Sequence, residues 1–202
     1  MDHDPISYEA MFESAGIDGE SLSVVLVRDG TRAKVLDLLG AEAETNGQHD
    51  PDLEDDDYSA YALADVQGGV IAFEHTGYAD PSPRVLAALS ELGGAAAVTR
   101  SNIQAHERFG CATDGVLVFD ADEFMYVEED EKDALPRELL PMFESVWVDL
   151  GDDGDDGDHE DAGGFVGYAM AAKHTGVVVT SDDLRRAVQQ GYHRVPTLTY
   201  LE

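Results

Sequence analysis

Three acidic runs set the terms on which this chain can fold. Asp50 to Asp57 is read DPDLEDDD, Glu128 to Glu131 is read EEDE, and Gly151 to Asp161 is read GDDGDDGDHED. Such runs repel themselves and carry almost no apolar side chain to bury, so they are expected to be solvated and flexible, at about 42–57, 128–133 and 150–163. The core must come from the blocks between them. With 202 residues and 43% hydrophobic side chains, those blocks suffice for a single domain over 1–202.

The acidity extends beyond the runs. Asp and Glu number 43 against 12 Lys and Arg, a net charge of −31. Nucleic-acid phosphates need a basic face, so direct binding to nucleic acid is not expected. Lysine occurs only at Lys34, Lys132 and Lys173. Many carboxylates with few lysines and small apolar residues form the pattern of a salt-adapted protein. In molar salt the Debye length falls to about 3 Å, and crowded like charges repel little. In dilute buffer the same crowd opposes the compact state. Nucleic-acid mimicry, cation binding and an ordinary acidic protein with unusually acidic loops are the competing explanations. The start, Met1-Asp2-His3-Asp4-Pro5, lacks a basic n-region, and no apolar run reaches the ~18 residues of a membrane span. A cytoplasmic location without membrane contact is expected. Cys111 stands alone, which excludes an internal disulfide framework and an all-cysteine zinc site.

Periodicity and punctuation give the elements. Asp4-Pro5 reads as a cap followed by proline, opening a helix that turns Ile6, Met11, Phe12 and Ala15 inward and stops at Gly16. Ser21 to Arg28 reads as a buried strand, and Thr31 as the cap of a short helix through Leu39. Tyr58–Val66 and Val70–Glu74 form a hairpin about Gln67-Gly68-Gly69. Ser82-Pro83 opens a helix ending at Gly93-Gly94, and Ala95–Ile103 is the next strand. His106–Ala112 and Val116–Asp120 flank the turn Thr113-Asp114-Gly115. Helices are expected over Arg137–Val146, with Trp147 as anchor, over Phe165–His174, and after a cap at Thr180 or Ser181. The expected fold is α+β: a mostly antiparallel sheet of about six strands with helices packed on one face.

The order of several short motifs resembles an uncharacterised bacterial family, a domain of unknown function. They are Gly69-Val70-Ile71-Ala72-Phe73-Glu74 with Gly77, Leu89-Ser90 with Gly93, and Arg100 with Asn102. Phe109, Asp114-Gly115 and Ala171-Ala172-Lys173-His174-Thr175-Gly176, followed by Thr180 and Leu184, continue the order. The resemblance covers roughly Leu22 to Pro196. It implies a shared fold and no particular activity.

Each chemistry-bearing residue also has a structural role open to it. Cys111 with His106 or His75 suggests a thiol nucleophile, but a strand would turn 106 and 111 to opposite sides, and Phe109 and Ala112 mark Cys111 as a small core residue. Ser90 and Ser181 lack a G-x-S-x-G elbow, and Ser181 suits a helix cap. Gly151, Gly154 and Gly157 alternate with Asp, which repels phosphate. An EF-hand register from Asp149 through Asp153, Gly154 and Glu160 loses its third ligand at Gly151. His159 and His174 have no H-E-x-x-H or H-x-H partner. No metal site, cofactor or catalytic residue is therefore assigned, and only weak, non-specific cation binding to the acidic segments is expected.

The best candidate binding surface is Glu74, His75, Tyr78, Arg100 and Asn102, where a strand end, a Gly-containing loop and a second strand bring acid, imidazole and guanidinium together. Its structural alternative is a Glu74–Arg100 ion pair tying loop to strand. The function expected is a non-enzymatic interaction or immunity-type accessory protein of unknown protein partner, adapted to high salt. The alternatives are a small-molecule enzyme using Glu74, His75 and Arg100, or an acidic nucleic-acid mimic.

Overall fold

A computed structural model of the chain describes residues 5–19, 21–41, 58–77, 79–102, 104, 106–147 and 163–196. The acidic stretches 42–57 and 148–162, and with them the EF-hand register and His159, lie outside the described residues.

The strands are β1 (Leu22–Arg28), β2 (Tyr58–Val66), β3 (Gly69–Glu74), β4 (Ala95–Ser101), β5 (Arg108–Thr113), β6 (Val116–Asp122) and β7 (His193–Pro196). They form one seven-stranded sheet in the order β6-β5-β4-β1-β3-β2-β7. Every neighbouring pair is antiparallel. The helices are α1 (Pro5–Ser14), α2 (Arg32–Leu38), α3 (Pro83–Ser90), α4 (Glu129–Lys132), α5 (Leu140–Phe143), α6 (Gly163–Thr175) and α7 (Ser181–Gln189). The expected α+β class with an antiparallel sheet is what the chain adopts, with β7 as an added edge strand.

Helices cover both faces of the sheet, not one. Val24 and Leu26 of β1 join one apolar cluster with Phe12 of α1, Phe143 of α5, Tyr168 and Met170 of α6, and Leu184 of α7. Val25 and Val27 face the opposite way, into a cluster with Val35 of α2 and Leu86 and Leu89 of α3. The uninterrupted run Val24-Val25-Leu26-Val27 carries the reason: a strand covered on one face alternates, and a strand covered on both does not. Small residues set the spacing on the first face. A Cβ added to Gly167 of α6 would stand 2.3 Å from Thr99 Oγ1 of β4, so the helix lies almost directly on the strand.

Local signals place most ends. The Ser82 hydroxyl accepts from Val85 N at 3.4 Å and Pro83 occupies the first turn of α3. Thr180 and Asp183 form a reciprocal capping box on α7. Asp114 and Gly115 take φ of 49° and 80° at the β5–β6 turn, the left-handed pair that a tight hairpin requires. Thr31 stands at the cap position of α2 without a side-chain bond to it.

Three local expectations are corrected. Ile6 is 73% exposed and takes no part in the inward stripe of α1, which rests on Phe12. The segment expected as a helix from Arg137 is regular only over Leu140–Phe143, because Pro141 is tolerated only in a first turn. The acidic run at 128–131 is exposed, yet it holds a helical turn, α4, closed by a capping box between Glu128 and Glu131. Trp147 follows α5 half-buried, its Nε1 donating to Val127 O at 2.9 Å with Lys132 Nζ 3.9 Å over the ring.

Candidate functional site

The strand register builds a polar row across one end of the sheet. Asp122 lies opposite Arg108, Arg108 opposite Arg100, Arg100 opposite Ser23, and Ser23 opposite Glu74. The row therefore crosses β6, β5, β4, β1 and β3 on the face shared with Val25 and Leu86. Two arginines directly opposed on one face repel each other unless carboxylates intervene. Asp80 supplies the first, with Oδ2 at 3.0 Å from Arg100 Nη1 and Oδ1 at 3.1 Å from Arg108 Nη1. Asp120 accepts from Arg108 Nε at 2.7 Å and Nη2 at 2.8 Å, a two-pronged pair. Asp122 accepts from Arg100 Nη2 at 2.5 Å, and Arg108 Nη1 also donates to Pro81 O at 2.8 Å. Arg108 is fully buried and Asp80 nearly so. Burial raises the Asp80 pKa, opposed by the two guanidiniums.

Glu74 and Arg100 share this row without pairing. The Glu74 carboxylate is buried and turned on its own loop: Oε2 accepts from Thr76 N at 2.7 Å and Thr76 Oγ1 at 2.6 Å, and Oε1 from Ala79 N at 3.3 Å. Burial raises its pKa, opposed by those donors from Thr76 and Ala79. The expected Glu74–Arg100 ion pair is thus replaced by two devices, a carboxylate that folds loop 75–79 and an aspartate at the end of that loop that binds both arginines. Asn102 does for the next loop what Glu74 does here, its Oδ1 accepting from Gln104 N at 2.9 Å and His106 N at 3.3 Å. His75 projects to the opposite side of the strand from Glu74, its ring edge-on to Phe73 and Tyr192 and its Nε2 3.0 Å from Tyr192 Oη. Tyr78 lies outside the described residues.

Gly77 lets this loop sit where it does. Its φ is +66°, and an added Cβ would stand 2.2 Å from Ser101 O on β4. Gly77→Ala is expected to destabilise the fold by about 2–4 kcal/mol, combining left-handed strain with the clash. Urea unfolding checks it. A loss under about 0.5 kcal/mol, the range of an ordinary surface change, would mean the loop moves freely from β4.

Sequence reasoning missed Asp80, Arg108, Asp120 and Asp122. One signal was available. A chain so poor in cations places Arg108 at the start of a strand whose hairpin partner ends Asp120-Ala121-Asp122, with the two acids on one face.

The nucleophile reading finds no support. Cys111 is wholly buried, and desolvation pushes its thiol up to about 12. His106 is half exposed, with Nδ1 3.0 Å from Glu123 Oε1. His174 is buried beside Ala112 O, 3.1 Å from its Nε2, and burial lowers its pKa. Alkylation of Cys111 by iodoacetamide should therefore occur only through unfolding, at a rate that falls with stability. Rapid labelling of the folded chain would show a reactive thiol and contradict this. Among the described residues no group of three or more His, Cys, Asp or Glu side chains could hold a metal ion. A cavity of about 20 Å³ lies between Phe12, Leu22, Thr99, Phe165 and Tyr168, far below the ~300 Å³ of a metabolite pocket. No described helix is long and apolar enough to cross a membrane.

The model of a family of unknown function, DUF6461, matches residues 13–192. No curated protein and no solved structure matches the chain.

Proposed function

Because this chain belongs to DUF6461, a family of unknown function, we propose from its own charge distribution that it is a non-enzymatic binding module for a basic protein, adapted to high salt. The observation that carries this is how the scarce cations are used. Arg100 and Arg108 are buried among aspartates. Arg28 donates to the carbonyls of His174 and Thr175 at the end of α6. Arg185 and Arg186 pair along α7 with Asp182 and Asp183, and Arg194 lies over the Tyr58 ring. The chain spends much of its positive charge on its own fold, and over the whole sequence its acids exceed its cations by a net charge of −31. Such a charge attracts a basic partner over a Debye length and repels other acidic chains.

The described acids are spread over the molecule: Glu13 on α1, Asp37 on α2, Glu129 on α4 and Asp182 on α7 are all exposed. That distribution favours salt adaptation over mimicry, which needs acids spaced like phosphates along one face. The enzyme alternative requires Glu74, His75 and Arg100 to converge. Here Glu74 faces its own loop, His75 the other side of the sheet, and Arg100 the aspartates.

Calorimetric titration of the full chain, in low and in molar KCl, against the purified products of neighbouring genes tests the reading. A stoichiometric complex with a basic protein, weaker in high salt, is the expected result. A small-molecule turnover abolished by Glu74→Gln in a still-folded chain would overturn it.

A further inference from the structure

We propose that a single water molecule is bound between the hydroxyls of Thr99 and Tyr168, in a small cavity where α1 and α6 lie on β1 and β4. The inference stands apart from the reading of a basic partner given above.

The site lies within the first apolar cluster. Val24 pairs opposite Thr99 and Leu22 opposite Ser101, so all four share the face of the sheet turned to α6. With Phe12, Phe165 and Tyr168 they line a cavity of about 20 Å³. Glycine makes room on two sides of it. A Cβ added to Gly167 would stand 2.3 Å from Thr99 Oγ1, and one added to Gly19 would stand 2.4 Å from Phe165 Cζ. The first glycine lets α6 close over the threonine hydroxyl. The second lets the Phe165 ring close over the segment that follows α1.

Two polar atoms in this apolar wall have no protein partner. Thr99 is 4% and Tyr168 2% exposed, yet neither Thr99 Oγ1 nor Tyr168 Oη makes a hydrogen bond to the protein. They do not bond to each other, so the pair is arranged as two groups joined through a water are. A buried hydroxyl left unbonded is costly, and buried polar groups in folded chains bond to protein or to ordered water. Burial raises the Tyr168 pKa, with Tyr8 and Asp183 adding to it, so the phenol keeps its proton as a donor. Thr99 offers both a donor and an acceptor. Ser101, two residues along the same face of β4, adds a third hydroxyl to the lining, and about three bonds is what a buried water makes.

The volume and the lining select the occupant. One water needs roughly 10–15 Å³ of such space, whereas benzene takes a cavity of about 150 Å³. An organic ligand is therefore too large. No charged side chain lines the cavity, so an ion would lose its hydration without a counter-charge.

A high-resolution crystal structure of the full chain tests this, together with urea unfolding at a fixed molar KCl concentration. One water peak is expected within about 2.5–3.2 Å of both hydroxyls. In Tyr168→Phe it should lose most of its occupancy. Thr99→Ser keeps the hydroxyl and should keep the peak, which guards the test against a misfit of valine under α6. Tyr168→Phe and Thr99→Val should each lower the urea midpoint, since each leaves the water short of a bond. The double variant should fall no further than the lower single. Dry hydroxyls predict the reverse: removing a buried, unbonded hydroxyl raises the midpoint. A cavity without density, a peak bonded to only one of the two hydroxyls, or rising midpoints would overturn the proposal. Additive losses in the double variant would do so too, because the hydroxyls would then act separately and not through one shared water.

Discussion

Arg108→Met is expected to destabilise the fold by about 3–5 kcal/mol, the range seen when one member of a buried ion network is removed. Methionine fills comparable space, so the loss reports charge and not a cavity. Arg108 is fully buried, Asp80 is 2% exposed and the Asp120 side chain 9%. Without the guanidinium, Asp120 loses the two donors of its two-pronged pair and Asp80 loses one of the two arginines it binds. Removing Asp120 as well, as Arg108→Met with Asp120→Leu, should recover much of the loss because fewer charges are stranded. Urea unfolding at a fixed molar KCl concentration measures all of these. A loss below about 1 kcal/mol, the level of an exposed pair, would show that water reaches the network. A companion cycle between Glu74→Gln and Arg100→Met should be close to additive, since Glu74 is held by Thr76 and Ala79 and Arg100 by Asp80 and Asp122.

The fold was legible in the sequence where a signal is local. Ser82-Pro83, the Thr180 cap and Asp114-Gly115 each declare themselves within four residues, and each stands where it was expected. Even the covering of both faces is written locally, in the absence of alternation along β1. β7 was missed because His193–Pro196 has no strand signal of its own and is ordered by pairing with Tyr58–Tyr61. The candidate site was legible only in part. Glu74, Arg100 and Asn102 do sit at one end of the sheet, since strand ends and loops follow from the element order. Which acid binds which arginine is a matter of register. Ser23 of β1 separates Glu74 from Arg100, while the β4–β5 pairing sets Arg100 directly against Arg108. Neither relation has a trace in sequence spacing, and it is the second that draws Asp80 inward.

Thermal stability is expected to rise steeply from low to molar KCl, by on the order of 10 °C, which for a chain of this size corresponds to about 3–4 kcal/mol. The net charge of −31 makes the compact state self-repelling in dilute buffer, where the Debye length is about 10 Å at 0.1 M salt and exposed carboxylates on neighbouring elements feel one another. At 1 M salt that length is about 3 Å, and only groups in contact still interact. The buried network supplies an internal control. Arg108, Asp80 and Asp120 are shielded by protein rather than by ions, so the stability lost in Arg108→Met should be nearly the same at both salt concentrations while the melting temperature of each protein climbs. Glu129→Gln with Asp130→Asn, two exposed acids on α4, should act the other way, leaving high-salt stability unchanged and reducing the salt dependence. Calorimetric melts of the three proteins across the KCl series decide the matter. A flat or falling melting temperature for the parent chain would sink the salt-adapted reading, because repulsion among its carboxylates would then not be what limits its stability.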